Sequence, residues 1–230
     1  ASRGLGDVYK RQGYKNIDEL TNKIDMFAYR VLKKDCLDLP DKIYTARYVT
    51  LTSEQLKMYE NLQQQALVMF EDGEMVSAPA IITQMLRLQQ VMSGHLKTDD
   101  GEMKYFPSRR MDALDEIMEE HQGKAIIWSR FRYDIKQITE MLNKKFGPGS
   151  AAAYFGDTKD DERHQIVQNF QNPNHPLRFF SGNSSTAGYG LTLTEANLVV
   201  YYANDYNLET RIQSEDRAHR IGQKHNVTYV

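Results

Sequence analysis

Two rhythms divide the chain. From about Asn16 to Leu96, apolar residues recur mainly at helical spacing, with one extended interruption at Ile43 to Leu51. That interruption is rich in β-branched and aromatic residues and follows the break Leu39-Pro40-Asp41-Lys42, so it predicts a strand. Thr52-Ser53-Glu54-Gln55 has the spacing of a capping box. Behind it, Leu56, Tyr59, Leu62, Ala66, Leu67 and Phe70 form one amphipathic stripe, and Ile81, Ile82, Met85, Leu88 and Met92 a second. Methionine and leucine at these spacings read as packing residues.

After a polar, glycine-containing stretch at residues 97–106, the rhythm changes to short apolar runs alternating with helical stripes. Ser108 caps an expected helix carrying Met111, Leu114, Ile117 and Met118; Lys124 to Trp128 reads as a buried strand. A helix with Ile135, Ile138, Leu142 and Phe146 follows, stopped by Gly147-Pro148. Ala151 to Phe155 is the next expected strand, and Thr158-Lys159-Asp160-Asp161 is expected to cap a helix bearing Ile166, Val167 and Phe170. Leu177 to Phe180 and Leu198 to Ala203 complete the expected strands before the C-terminal one. Strands alternating with helices of this length imply right-handed crossovers and a parallel sheet covered on both faces. The expectation is an α/β domain over residues 101–230, preceded by a mainly helical region over 13–100. Residues 1–12 lack periodicity and caps and read as a non-native or disordered tail. The last residues, Thr228-Tyr229-Val230, stop inside an expected strand, so a truncated fragment is expected.

Composition narrows the class. The 230 residues are 40% hydrophobic and 26% charged, ordinary for a globular chain, and no apolar run reaches the roughly 18 residues of a membrane span. No membrane partner is expected. The one cysteine, Cys36, excludes an internal disulfide and fits a reducing, cytoplasmic setting. A net charge of −2 means that any nucleic-acid contact must gather its basic residues on one face.

The chemistry is expected beyond the carboxyl ends of the strands, where open α/β sheets bind ligands. In the polar helix expected from Asn207 to about Gly222, Gln213, Arg217 and Arg220 stand at i, i+4 and i+7, one stripe suited to gripping phosphate oxygens. Spacing alone equally allows a solvated helix whose arginines pair with Glu215 and Asp216. A second segment, Thr186-Ala187-Gly188-Tyr189-Gly190-Leu191-Thr192-Leu193-Thr194, puts glycines after a strand, where backbone amides can approach a phosphate. Its bland reading is a tight turn.

The unbroken run Gln213-Ser214-Glu215-Asp216-Arg217-Ala218-His219-Arg220-Ile221-Gly222-Gln223 closely resembles the last motif of Swi/Snf-type, helicase-related ATPases. The segment from Thr186 to Thr194 resembles that family's preceding motif, with Ala187-Gly188 where two adjacent glycines are usual. Softer matches are Ser129-Arg130-Phe131, the spaced Gly156, Arg163 and Phe170, and upstream Arg30, Leu39 to Lys42, Gln55 and Tyr59. Tyr206-Asn207-Leu208 departs from the family's Trp-Asn-Pro. The resemblance implies a RecA-like three-layer lobe. It assigns Arg217 and Arg220 to the γ-phosphate of ATP, with Arg220 the favoured arginine finger, and Gln213, Gly188 and Gly190 to the nucleotide. Ser129, Arg130, Thr186 and Arg163 are implied contacts to double-stranded DNA.

Other patterns fail on context. Gly147 to Ala152 follows a helix and opens a strand, the reverse of a dinucleotide-binding turn. Gly123-Lys124 lacks the rest of a phosphate loop, and Asp115-Glu116 lies mid-helix. The six histidines show no metal spacing, and His95 and His219 read as hydrogen-bonded structural or switch residues. In the family resembled, the phosphate loop and metal-organising acid belong to a first lobe, so the resemblance implies that ATP and Mg are held mainly by an N-terminal helicase lobe of the same polypeptide, and this chain alone is expected neither to bind ATP tightly nor to hydrolyse it. The alternatives are a non-catalytic DNA-binding or interaction module of the same fold, and the lobe of a strand-separating helicase. The linker-poor form, without chromatin-type appendages, suggests by resemblance a phage or bacterial source.

Overall fold

A computed structural model describes residues 15–29, 31, 36–71, 78–98, 100–186 and 190–230. The expected tail at residues 1–12, Arg30 and Gly188 lie outside the described residues. The chain divides into two compact units, residues 1–38 and 39–230. In the first, α1 (Ile17–Asp25) buries none of its residues and carries an i,i+4 pair, Lys23 to Glu19 at 2.7 Å. Such an exposed pair contributes little, on the order of 0.3–0.5 kcal/mol.

The second unit opens with strand β1 (Lys42–Tyr44). Of the strand expected to run to Leu51, only β1 forms, pairing in parallel with β8 (Val227–Tyr229). Helix α2 (Ser53–Glu71) then starts on a reciprocal capping box. The Gln55 amide donates to Thr52 Oγ1 (3.3 Å), and Thr52 N–H donates to Gln55 Oε1 (3.1 Å). Gln55 is itself buried and donates from Nε2 to Val91 O (2.8 Å), which joins α2 to α3 (Ala78–Ser93). Leu62, Val91 and Leu96 form a small core there, while Leu56, Leu67, Ile82 and Met85 stay exposed, so only part of each predicted stripe is buried.

The polar stretch conceals a hairpin. Strands β2 (His95–Lys97) and β3 (Met103–Tyr105) pair antiparallel around Gly101, whose φ of 86° suits a residue without a Cβ. Periodicity missed it because three-residue strands give too few alternations to register.

From Ser108 onward the expected alternation appears. Its elements are α4 (Arg109–Glu120), β4 (Lys124–Ser129), α5 (Arg132–Phe146), β5 (Ala151–Tyr154), α6 (Asp160–Gln171), β6 (Phe179–Gly182), β7 (Ala196–Ala203), α7 (Leu208–Ala218) and β8. Ser108 accepts from Arg110 N as the N-cap of α4. Lys159, not Thr158, is the N-cap of α6, with no side-chain cap bond. Thr158 Oγ1 instead accepts from Phe155 N (3.1 Å) and closes the preceding turn. The strands form one six-stranded parallel sheet in the order β1-β8-β7-β4-β6-β5.

Alternation along β4 assigns the two faces. Ile126 and Trp128 join Ile166 and Phe170 of α6 and Ala218 of α7 in one core. Ala125 and Ile127 join Leu114 and Met118 of α4 and Ile138 and Leu142 of α5 in the other. All six residues of β4 are buried, as a central parallel strand requires. Each fully buried Ile or Leu contributes roughly 1.5–3 kcal/mol. The result is helix, sheet, helix: the predicted three layers. Among the described residues no helix is long and apolar enough to cross a membrane.

Candidate nucleotide and nucleic-acid site

Helix α7 ends at Ala218, four residues before the expected stop. Gln223 ends it. Its buried Nε2 donates to the carbonyls of Ala218 (3.1 Å), Thr194 and Ala196 (both 2.9 Å), and its Oε1 accepts the amides of Lys224 and His225 (both 2.9 Å). Gly222, at φ 100°, lets the chain turn there. Arg220 is therefore off the helical stripe that spacing predicted. Even so, it meets Arg217. Nη1 of Arg217 (3.4 Å) and Nη1 of Arg220 (3.5 Å) both donate to the carbonyl of Leu191, in the segment after β6.

That convergence makes one unit of the two sequence segments. Leu193 N–H donates to Arg217 O (2.9 Å), and Gln223 holds Thr194 and Ala196 as above. Gly190 opens the described part of this loop at φ 79°, with nothing near the place a Cβ would occupy, so the backbone conformation selects glycine there. Arg217 is buried, and burial together with the charge of Arg220 pulls its pKa below the ordinary guanidinium value, against an opposing effect of Asp216. Arg220 is exposed. Gln213 lies one turn earlier and donates to Glu209 Oε1 (2.9 Å) on its own helix.

Glu215, the partner that spacing offered the arginines, is engaged elsewhere. It accepts from Tyr44 Oη (2.7 Å), Lys42 Nζ (3.0 Å) and Arg211 Nε (3.0 Å). Burial pushes its carboxyl up, but these three donors outweigh burial and hold it below the ordinary carboxylate range. Tyr44, by burial and by its bond to Glu215, is pushed up to about 12. His219 donates from Nε2 to Pro40 O (2.7 Å), a structural hydrogen bond.

The remaining site residues stand along the carboxyl ends of β4, β5, β6 and β7. Ser129 is buried, its hydroxyl donating to Asp134 Oδ2 (2.7 Å). Arg130 follows with Nη1 on Gln89 Oε1 (3.1 Å) and 3.7 Å from Asp205 Oδ1. Asn183 ties this edge together: its amide donates to Tyr154 O (3.0 Å), its Nδ2 to Arg130 O (3.0 Å), and its Oδ1 accepts from Ser185 N (2.9 Å). Thr186 comes next, half-buried. Arg163 is turned onto the β5–α6 turn, where Nη2 donates to the carbonyls of Phe155 (3.2 Å) and Gly156 (3.1 Å). Gln89 and Asn183 escaped the sequence reading because their partners are distant in the chain and no local spacing marks them, and Gln223 was named there only as the end of the motif run, without its bonds to Thr194 and Ala196. A groove of about 390 Å³ lined by Arg47, His121, Asn197 and Asn226 lies beside the first residues of β7, away from these strand ends. Among the described residues no cluster of three or more His, Cys, Asp or Glu could hold a metal ion.

Residues 109–222 match the family model described as the helicase conserved C-terminal domain. The chain is 28% identical to YwqA of Bacillus subtilis, whose name describes an ATP-dependent helicase/translocase, over 96% of this chain and 25% of that protein. It is 26% identical to snf22 of Schizosaccharomyces pombe, a subunit of a SWI/SNF chromatin-remodeling complex, over 92% of this chain and 13% of that one. This is a helicase C-terminal domain homologous to those of SNF2-family ATP-dependent helicases. The solved SWI2/SNF2 ATPase core of Sulfolobus solfataricus in complex with dsDNA aligns with a TM-score of 0.63 and 29% identity, over 92% of this chain and 46% of that chain. The helicase C-terminal domain thus has the RecA-like three-layer sheet of such a lobe. The chain spans a quarter or less of the length of the two sequence relatives.

Proposed function

We propose that this helicase C-terminal domain is the second motor lobe of an ATP-dependent double-stranded DNA translocase. The observation that supports the reading is the convergence of Arg217 and Arg220 on the Leu191 carbonyl, which brings the family's two motif segments together at two guanidiniums. ATP and Mg are held mainly by an N-terminal lobe of the same polypeptide. Arg217 and Arg220 meet the γ-phosphate across the cleft, with Arg220, the exposed one, as arginine finger; Gln213, Gly188 and Gly190 border the nucleotide. In this reading Leu191 O is a resting place that the guanidiniums leave when phosphate oxygens arrive. Charge then developing on the phosphate oxygens is met by two cations already in position.

Arg130 and Thr186 face the DNA backbone along the strand ends; Ser129, buried with its hydroxyl on Asp134, does not reach it and contributes from behind Arg130, and Arg163 contributes by holding the Gly156 turn. Contacts of this kind read phosphates, so little sequence preference is expected. Closure on ATP and release after hydrolysis would alternate the two lobes' grips on the backbone. A cytoplasmic setting in a bacterial or phage-infected cell fits the composition and the Bacillus relative.

In a polypeptide that carries both lobes, Arg220→Ala is expected to lower DNA-stimulated ATP turnover by roughly 10³-fold or more while DNA affinity is kept. Unchanged turnover in steady-state assays would end the finger role. Separately, DNA-stimulated turnover by the purified 230-residue chain would overturn the assignment of ATP to another lobe.

A further inference from the structure

Beneath Arg130 lies a buried polar cluster that the motor reading does not use. Asp134, in the first turn of α5, and His95, at the start of β2, are both about 1% exposed. Asp134 Oδ2 accepts from Ser129 Oγ (2.7 Å), and Oδ1 lies 3.3 Å from His95 Nδ1. Ser129 Oγ in turn accepts from Phe131 N (3.2 Å). The His95 ring sits edge-on to Phe131 (centroids 5.0 Å apart) and tilted against Tyr133 (4.9 Å), which stacks on Tyr105 of β3 (4.8 Å). A carboxylate so deeply buried is costly, and an aliphatic side chain would fill the same space. The cost calls for a role that packing does not supply.

The cluster's position supplies one. Arg130 is the residue between Ser129 and Phe131, and both neighbours are pinned by the Asp134–Ser129 bonds and the His95 ring. Its own amide donates to Ala203 O (3.1 Å), and its guanidinium rests on Gln89 of α3. His95 follows α3 directly, so the same cluster seats the helix that carries Gln89. We propose that His95 and Asp134 are positioning residues that hold Arg130, by its backbone and by its Gln89 rest, in register with a DNA phosphate at the carboxyl end of β4. The proposal rests on the reading that Arg130 contacts the DNA backbone.

The experiment measures affinity of the 230-residue chain for a short DNA duplex by fluorescence anisotropy across a salt series. Each lost phosphate contact lowers the slope of log Kobs against log[salt] by about 0.9. Arg130→Ala is expected to lower it by that amount. Asp134→Leu, which keeps the bulk, and His95→Phe, which keeps the ring between Phe131 and Tyr133, are expected to do the same. Combining either with Arg130→Ala should add nothing, because they act through that residue. Asp134→Asn, which can still accept from Ser129, should restore most of the slope. A mere loss of stability would not change the slope of the folded fraction, and if Asp134→Leu fails to fold, His95→Phe decides.

Wild-type slope in the folded His95 and Asp134 variants, with Arg130→Ala reduced, would overturn the positioning role. If Arg130→Ala itself has no effect, or the wild-type chain does not bind the duplex, the DNA reading of Arg130 fails. NMR relaxation at Arg130 Nε without DNA then judges positioning alone. Order in the wild type that is lost in His95→Phe supports it, and equal order in both refutes it.

Discussion

Glu215 and Arg217 are two residues apart on α7, both largely buried, and their surroundings are opposite. Glu215 collects three donors from Lys42, Tyr44 and Arg211, enough to outweigh the cost of its burial. Arg217 and Arg220 share the Leu191 carbonyl, and the like charge of Arg220 acts on Arg217 against the opposing effect of Asp216. The first arrangement is complete within the fold. In the second, burial and the neighbouring like charge outweigh Asp216 and lower the pKa of Arg217. The contrast separates a buried carboxylate whose donors outweigh its burial from a buried guanidinium whose surroundings disfavour its charge, at the end of one short helix.

The comparison breaks hardest at Glu215. Glu215→Ala leaves Lys42 and Arg211 without their shared carboxylate and unhooks β1 from α7, so a loss of about 3 kcal/mol is expected. Arg220→Ala removes an exposed side chain from a crowded pair and should move stability by no more than about 0.5 kcal/mol. Urea unfolding of the two variants checks both. Equal losses would erase the distinction between the two sides of the helix.

Gln223 sharpens the same contrast from the loop side. Its side-chain nitrogen lies within hydrogen-bond distance of three carbonyls and its oxygen accepts two amides, and the carbonyls of Thr194 and Ala196 follow Leu191, which the arginines touch. Gln223→Ala orphans buried backbone groups, for which about 2 kcal/mol is expected. Because the loop and the end of α7 would then separate, hydrogen exchange should quicken at Leu193, whose amide bonds Arg217 O. Exchange at Leu193 unchanged from the wild type would show that Gln223 does not join the two segments.

How much of this was legible beforehand differs by scale. The three layers were, because short apolar runs such as Lys124 to Trp128 alternate with helical stripes such as those of Leu114, Ile138 and Phe170. Strand ends were not. The run Leu177 to Phe180 is apolar but for Arg178, yet the ladder begins at Phe179, opposite Ala125 and Ala151, and Leu177 is buried beside the sheet without belonging to it. An apolar run records burial, whereas pairing needs a partner in register. At the site, Arg217 and Arg220 were singled out through a regular helix that the structure ends at Ala218. They converge instead through the turn made by Gln223 and Gly222. Two of the three partners of Glu215 were invisible, since Lys42 and Tyr44 lie far upstream and no spacing rule connects them; only Arg211, at i,i+4 with Glu215, is within reach of one.

The smallest effect is a pH dependence that belongs to the completed side alone. The carboxyl of Glu215 is held below the ordinary range in the fold, and in the unfolded chain it returns to about 4.3. A depressed carboxylate pKa adds stability that is present above the unfolded value and is lost as pH falls through the folded one. Glu215→Gln should therefore remove part of the acid limb of the stability profile and leave the neutral region's slope unchanged. Tyr44 acts with the opposite sign. Its phenol, raised to about 12 in the fold, adds stability that is present below about 10 and lost as pH rises toward 12. Tyr201, Tyr202 and Tyr229 are also pushed up by burial and share that alkaline limb, so Tyr44→Phe should only soften it. The acid limb is thus the cleaner probe. Urea midpoints from pH 3 to 7 for wild type and Glu215→Gln should converge as pH falls and separate as it rises. Parallel profiles would mean that Lys42, Tyr44 and Arg211 do not stabilise the charged carboxylate, and the saturated side of α7 would lose its claim to hold the domain by charge.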